Sequence, residues 1–327
     1  MMQIDQFKDL YERNNIPSEK FDYAVHLLEM FQDILGSTSI DLTSIDQLDQ
    51  FIERLLRNDS INVDMMIVFM RYFRMIKRND LFIHLTKYTG GLGVIESILE
   101  RLEKIVGKEK SEIITRQVQI PLLGTHPSVI PQFTQSFIDL LEESLDPEIL
   151  KEILAGNHHQ IPESAFLDEH IYYENAETLD QYLKELHDRK VQVLQKHLID
   201  GTVWFEQNIT EEVVEFVKSN QEILSAVRKN DQLYVTKIPY DTKAYLNAKD
   251  PVEKAYHACH CPFAKESIGK KDIKISGTWC NCSAGFAKFP FDILFGKELK
   301  INVLENAIKG DLLCRFSISL EGIAYKK

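Results

Sequence analysis

The spacing of apolar residues changes its period late in the chain. Over about the first 220 residues, apolar positions recur three and four residues apart, as in the segment 48–56, and this spacing predicts helices that each bury one face. Further on, residues 233–239, 299–303 and 312–320 read as strands. The fold class we expect is therefore α+β, with a large all-helical N-terminal region followed by a smaller α+β C-terminal domain whose strands are antiparallel.

A group of prolines interrupts the helical region. Three prolines and a glycine lie in the segment 115–132, and because each proline disfavours helix in the residue before it, we expect this segment to be extended. The domain organisation we predict is a helical bundle over residues 1–120, a second helical segment over 121–228 that either shares that domain or forms its own, and an α+β domain with all the cysteines over 229–327.

The charge of the chain is uneven. The net charge is −12, yet residues 250–327 hold twelve Lys and Arg against nine Asp and Glu, so residues 1–249 carry −15. Nonspecific binding to nucleic acid needs a basic surface, so we expect no nucleic-acid partner. No apolar run reaches about 18 residues and the N-terminus lacks a signal-peptide pattern, so we expect no membrane partner and a cytoplasmic protein with reduced thiols. The sequence does not indicate the oligomeric state.

The cysteines are confined to the last quarter of the chain. Such clustering predicts that the sulfurs meet in space, where thiolates bind zinc or an iron–sulfur cluster. Residues i and i+2 of a strand lie about 7 Å apart, whereas zinc-bound sulfurs are about 4 Å apart, so a Cys-x-Cys pair chelates only where the backbone bends. Pro262 and a turn at 283–285 can supply such bends. The candidate metal ligands are Cys259, Cys261, Cys280, Cys282 and Cys314.

Other interpretations of these residues stay open. The cysteines can instead form a thiol or thiol–disulfide site, or can be structural and buried. Cys314 lies on an apolar strand face, so it is either a ligand or a residue that lines a pocket. The segment 273–282 alternates like a strand, with Cys280 and Cys282 on one face. Three histidines are candidates for an additional ligand or an acid–base group: His257, His260 and His158.

The C-terminal residues resemble known families. Leu299–Glu305 and the segment Gly-Asp-Leu-Leu-Cys-Arg-Phe-Ser-Ile at 310–318 resemble the closing hairpin of 4-vinyl reductase-like domains and of L-2-amino-thiazoline-4-carboxylic acid hydrolase-like proteins. In both families a strand and a Gly-containing turn precede a strand that carries Cys-x-Phe. The similarity covers about the last 95 residues. The whole chain, with its Cys-His-Cys-Pro and Cys-Asn-Cys-Ser-Ala-Gly-Phe motifs, looks like a set of bacterial proteins, mostly from Firmicutes, that have no assigned reaction.

These resemblances imply specific expectations. The 4-vinyl reductase-like family implies an α+β domain that binds a small molecule, often with a cysteine-bound zinc, and would make Cys314 and Glu305 candidate ligands. The paired Cys-x-Cys motifs depart from the single cysteine usual in that family. The thiazoline hydrolases would imply a ring-opening hydrolysis with a cysteine near the pocket.

Three functions follow as hypotheses. The first is a cytosolic protein that binds a small molecule and carries a cysteine-ligated metal, with zinc as the expected ion, in its C-terminal domain. The second is a metal-dependent or cysteine-dependent hydrolase that acts on a small amide or thiazoline-like substrate. The third is an iron–sulfur or redox protein.

Overall fold

The computed structural model describes residues 2–327 and confirms the α+β class. Its internal contacts divide the chain into two compact units. The first unit runs up to Gly90 and takes in Pro121–Pro127, and the second comprises Gly91–Ile120 and Ser128–Lys327. Across the described residues, no helix is long and apolar enough to cross a membrane.

The first unit is a helical bundle with an aromatic centre. Phe31, Phe51 and Phe69 pack with ring centroids 4.5–5.4 Å apart. Ser44 accepts a hydrogen bond from the backbone of Gln47, whose side chain accepts one from the backbone of Ser44, and this capping box starts the third helix. The helices are α1 (Ile4–Arg13), α2 (Ser18–Leu35), α3 (Ile45–Arg57), α4 (Val63–Met75) and α5 (Asn79–Thr89), with a 3₁₀ turn at Ile40–Leu42.

The second unit begins with helices and ends in a sheet. Its helices are α6 (Val94–Val106), α7 (Lys108–Thr115), α8 (Ile130–Ser144), α9 (Pro147–Leu154), α10 (Leu167–Asn175), α11 (Leu179–Asp200), α12 (Glu211–Lys218), α13 (Thr242–Asn247), α14 (Pro251–Ala258) and α15 (Asn281–Phe295). Short 3₁₀ turns lie at Glu163–Ala165, Lys265–Ser267, Gly277–Cys280 and Ala307–Lys309.

The strands of the second unit are all antiparallel. A small hairpin joins β1 (Val203–Trp204) to β2 (Gln207–Asn208). The larger sheet has the order β3-β4-β6-β5, formed by β3 (Val227–Lys229), β4 (Gln232–Thr236), β5 (Ile301–Glu305) and β6 (Arg315–Ser319).

The pairing of β4 with β6 positions the cysteine region. These two strands are neighbours, with Val235 opposite Phe316, although the whole segment 237–314 lies between them in sequence. The ladder continues past the strands, because the backbone N–H of Lys237 donates to the carbonyl of Cys314 at 2.9 Å. The excursion that holds all five cysteines is therefore closed at its base by this strand pair.

The predicted boundaries at residues 120 and 228 do not coincide with the division of the two units. The proline segment returns to the first unit, where Leu123 packs against the aromatic core. Residues 94–154 share one buried cluster with Phe263, Trp279 and Cys282, so their helices belong with the cysteine region. The spacing of apolar residues and the composition do not reveal which segments belong to which unit, because that depends on which apolar faces pack together.

One predicted strand is wrong. The segment 273–282 is not extended at its end: Gly277–Cys280 forms a 3₁₀ turn that leads directly into α15, and residues 283–285 lie inside this helix instead of forming a turn. The hydroxyl of Ser276 accepts a hydrogen bond from the backbone of Thr278 and starts the 3₁₀ turn. Trp279, only 1% exposed, then packs edge-on against other rings, which decides the local conformation over the alternating pattern.

Candidate metal centre

The five cysteines line one small cavity in the second unit. All five are free thiols, and Lys237, His260, Trp279 and Ser283 complete most of the remaining wall. The cavity measures about 20 Å³, which is enough for one water molecule or one metal ion. Sites for organic ligands measure about 300 Å³ or more. The space between the thiols is therefore the size of an ion.

Each thiol reaches the cavity from a point where the backbone changes direction. Cys259 is the C-terminal cap of α14, and Cys261 follows in the turn beyond it. Cys280 is the N-terminal cap of α15, and Cys282 lies in its first turn. Cys314 immediately precedes β6. The two Cys-x-Cys pairs thus lie at bends, as chelation by such short spacing requires.

Hydrogen-bond donors point at the sulfurs. The indole Nε1 of Trp279 donates to Sγ of Cys261 at 3.3 Å, and the backbone N–H groups of Phe263 and Ala264 act with it to lower the pKa of that thiol, although burial outweighs them. The backbone N–H of Ala307 acts in the same direction on the pKa of Cys314. Such bonds favour the negatively charged thiolate, which is the form that binds metal.

Burial opposes ionisation in the free protein. It raises the pKa of each of the five thiols above the ordinary value of 9.0, in the case of Cys282 to about 12. Neighbouring thiols raise the pKa of Cys280 further, Cys314 most strongly and then Cys259 and Cys261, which places Cys280 among the other sulfurs. At neutral pH the free thiols are therefore protonated, and a bound cation would reverse this balance.

Two lysines place positive charge beside the thiols. Lys237 lines the cavity and its Nζ donates to Oγ of Ser283 at 3.1 Å. Its charge acts to lower the pKa of Cys261, Cys282 and Cys314, although burial outweighs it. Lys265 acts in the same way on Cys259. The two lysines thus favour negative charge on the sulfurs, against the larger effect of burial.

Of the three candidate histidines, the structure brings His260 to the cavity. Its Nε2 donates to the carbonyl of Ile238 at 2.6 Å, so in the neutral ring Nδ1 carries the lone pair. Burial lowers the pKa of His260 well below 6.5, which keeps it in this neutral form. A metal-binding histidine commonly donates its second ring nitrogen to a carbonyl in this way.

The other two histidines and Glu305 do not line the cavity. His257 is on α14 with its Nε2 3.9 Å from a carboxylate oxygen of Glu253. His158 is buried between Oγ of Ser97 at 3.1 Å and the carbonyl of Ile153 at 2.8 Å, which identifies it as a satisfied core histidine.

Neither of these histidines lines the thiol cavity. Glu305 does not line it either, and its Oε1 lies 3.9 Å from Nη1 of Arg315.

The thiols surround the cavity without already forming a coordination sphere. Among residues 2–327, no three His, Cys, Asp or Glu side chains are arranged to hold a metal ion. Binding of an ion would therefore require the thiols to lose their protons and to turn inward about their side-chain torsions.

Four residues of the site were not predicted from the sequence. Lys237 had no motif that marked it, Ser283 was considered only as part of a turn at 283–285, and Trp279 was assigned to a predicted strand. Lys265 carries a weak signal, since it follows Cys261 by one helical turn. Only the closure of β4 on β6 brings Lys237 to the cysteines.

The comparisons with known proteins give one match. Residues 241–324 match a family of unknown function (DUF6144). The matched range contains all five cysteines and His260, and it begins just after Lys237. No curated protein and no solved structure matches the chain.

Proposed function

We propose that the C-terminal part of the second unit binds a single soft metal ion, with zinc as the natural choice, through its cysteines. One observation carries the proposal: five thiols and a neutral imidazole surround a cavity of about 20 Å³. The donors to Cys261 and Cys314 and the nearby lysines supply the surroundings that thiolates need. Soft sulfur ligands select zinc over magnesium or calcium.

The number of donors favours a closed shell. Zinc takes four ligands in structural sites, and a catalytic site keeps one position open for water or substrate. Five thiols and His260 exceed four donors, so a structural or regulatory centre fits this wall better than a hydrolytic one. The hydrolase and the iron–sulfur protein are the alternatives. Measurement of the metal content distinguishes the iron–sulfur protein from a zinc protein, and an activity assay distinguishes the hydrolase from a structural centre.

A small-molecule ligand stays a prediction. The space between the thiols is too small for an organic molecule, so such a ligand would have to bind outside the metal cavity. Reduced thiols are needed for the proposed centre, which agrees with the expected cytoplasmic setting.

The test is metal analysis of protein purified without oxygen. We expect about one zinc per chain by inductively coupled plasma mass spectrometry, with most thiols protected from titration until a chelator is added. Cys280→Ser should weaken zinc binding, because the charges of the other four thiols act on Cys280.

His257→Ala is a control, because His257 does not line the cavity. His257→Ala should retain the full zinc content. Protein that holds no metal, takes up none when zinc is supplied with reductant, and titrates five free thiols would refute the proposal. If the analysis found iron together with sulfide, the centre would be an iron–sulfur cluster and not a zinc site.

A further inference from the structure

The ammonium group of Lys237 has hydrogen-bonding capacity that the protein does not use. Its Nζ donates to Oγ of Ser283 at 3.1 Å and lies 4.9 Å from the ring centre of Phe286. An ammonium has three N–H donors, and within residues 2–327 no other acceptor and no carboxylate partner meets this one. The side chain is half-buried, a position in which lysine is usually paired.

Lys288 shows how the chain compensates a buried ammonium when it does so internally. Its Nζ contacts carboxylates of Asp292 at 2.5 Å and Glu298 at 3.4 Å. Lys237 has no such pair. Burial raises the pKa of the Glu206 carboxyl and the charge of Lys237 acts to lower it, yet the two groups form no ion pair. The positive charge of Lys237 is therefore left without a directly bound acidic partner in the described chain.

Two groups beside Lys237 also have unused donors. The hydroxyl of Ser283 accepts from Lys237, and its own proton has no acceptor within residues 2–327. The ring of His159 packs edge-on against Phe286 with centroids 5.2 Å apart, and its nitrogens form no hydrogen bond in the described chain. Neighbouring protein atoms displace water and lower the pKa of His159 to about 4, and the charge of Lys237 adds to this effect. At neutral pH the ring is thus uncharged and keeps one N–H donor.

These four residues connect the thiol cavity with the surface. Lys237 and Ser283 belong to the wall of the cavity and are half-buried. Phe286 is 36% exposed, and His159 is exposed as well. We call Lys237, Ser283, His159 and Phe286 the Lys237 patch. It presents an ammonium, a hydroxyl and a ring N–H beside an aromatic ring that solvent reaches.

We propose that the Lys237 patch binds the carboxylate of a small organic ligand, with Lys237, Ser283 and His159 as donors. Hydrogen bonds between a charged donor and a carboxylate are roughly twice as strong as neutral ones. The exposed ring of Phe286 supplies an apolar surface for the body of the ligand. Such a ligand lies outside the metal cavity, so the inference goes beyond the proposed metal binding and does not require it.

The charges at the patch favour a ligand with a single negative charge. One ammonium balances one carboxylate. A phosphate group carries about −1.5 to −2 at pH 7, and its second charge would lie unbalanced near Glu206. We therefore expect a carboxylate to bind more tightly than inorganic phosphate.

The test compares benzoate with benzamide, its neutral analogue, by calorimetric titration of the full chain as purified. Benzoate should bind at least about tenfold more tightly than benzamide, because only benzoate has the charge. Lys237→Met should weaken benzoate binding about tenfold, and Lys237→Arg should restore most of the affinity. Ser283→Ala and His159→Phe should each weaken it about fivefold, the effect of one lost hydrogen bond, while Phe keeps the ring against Phe286.

Lys254→Met is the matched control. Lys254 is also half-buried and lies over an aromatic ring, with Nζ 5.0 Å from the centre of Tyr245, but it is not part of the patch. The benzoate affinity of this variant should equal that of the wild type. Circular dichroism and zinc content, recorded for every variant, separate a lost ligand from a disturbed fold or metal site.

Four results would overturn the inference. They are no detectable benzoate binding to the wild type, equal affinity for benzoate and benzamide, tighter binding of phosphate than of benzoate, and an affinity of Lys237→Met within about twofold of the wild type. Loss of benzoate binding in Lys237→Met that arginine does not restore, together with a changed circular dichroism spectrum, would assign Lys237 a packing role instead. A wild type that binds benzoate but never binds zinc would refute the metal proposal alone.

Discussion

Two groups of buried polar residues, one in each unit, are satisfied in different ways. In the first unit, one carboxylate oxygen of Asp49 accepts hydrogen bonds from Nε2 of His84 at 2.5 Å and from the hydroxyl of Tyr88 at 2.6 Å. In the second unit, Lys237 and the indole N–H of Trp279 lie beside five thiols that burial keeps protonated. In the first group, the side chains satisfy one another's hydrogen bonds. In the second group, a lysine and a hydrogen-bond donor lie beside thiols that are still protonated and therefore uncharged.

The difference indicates which buried group is structural. A buried donor that is paired with an acceptor needs no ligand to satisfy it. Removing either partner lowers the free energy of unfolding. The thiols beside a positive charge become thiolates only when a metal cation displaces their protons. The negative charges of the thiolates then balance the positive charges around them. We therefore expect substitutions near Asp49 to change stability, and substitutions at the thiols to change metal content.

The largest expected effect is at Gly285. A Cβ here would lie 2.4 Å from the carbonyl oxygen of Gly156 and 2.6 Å from the carbonyl carbon of Ala155, so α15 could not keep its place against the end of α9. We expect Gly285→Ala to lower the free energy of unfolding by about 4 kcal/mol. Denaturant titration by tryptophan fluorescence measures this, since Trp204 and Trp279 are the two tryptophans of the chain and both lie in the second unit.

Gly277→Ala is the control for this substitution. Its Cβ would meet only the side chain of Lys309, which can move away. We expect a cost below about 1 kcal/mol. Equal stability of Gly285→Ala and the wild type would mean that α15 and the residues after α9 are not held in this close contact.

The next effect concerns the first unit. Asp49→Ala leaves the donors of His84 and Tyr88 without their acceptor, and both residues are buried. We expect a loss of about 3 kcal/mol, since each buried unsatisfied donor costs about 1–3 kcal/mol. The transition detected by circular dichroism should shift, while the tryptophan transition of the second unit should shift less.

Asp46→Ala, an exposed position in the first turn of the same helix, is the charge-matched control. Only the interaction with the helix dipole is lost there, at a cost of below about 1 kcal/mol. If the two aspartate variants were equally stable, the Asp49 group would contribute nothing beyond an ordinary surface charge.

The smallest effect is expected at an acid-sensitive ion pair of the second unit, between Glu222 and Arg315. Glu222 accepts two hydrogen bonds from Arg315 at 2.7 and 2.8 Å, and these, more than a further bond from Thr236, hold the pKa of its carboxyl below the ordinary value of 4.5. A lowered pKa contributes stability above pH 4.5 that is lost as the pH falls through the folded value. We expect Glu222→Gln to cost about 1 kcal/mol at pH 7 and to flatten this acid dependence.

Glu215→Gln is the matched control, because Glu215 forms an exposed ion pair with Lys218 at 3.2 Å. Such a pair contributes about 0–1 kcal/mol. Denaturant titrations at pH 7 and pH 4 would compare both variants. An acid dependence that Glu222→Gln leaves unchanged would show that other carboxylates cause it.

Local pattern was sufficient for most of the secondary structure. The spacing around Leu48 and Phe51 predicts α3, and the alternating residues near Phe316 and Ile318 predict β6. The local pattern gave a wrong prediction at 273–282, where a few alternating side chains resembled those of a strand. Here Trp279 enters a buried aromatic group formed by residues distant in sequence, and that packing energy exceeds the local preference.

The sequence by itself determined that soft ligands are concentrated in one region, because residue identity and spacing are enough to recognise two Cys-x-Cys pairs and a fifth cysteine in a chain whose first 258 residues contain no thiol. Only the tertiary structure decided which groups meet them: it brought His260 and Lys237 to the cavity and left His158 and His257 elsewhere. The physical reason is that the pairing of β4 with β6 closes a long excursion of the chain. Contacts of this kind depend on the packing of whole faces, which no local spacing records.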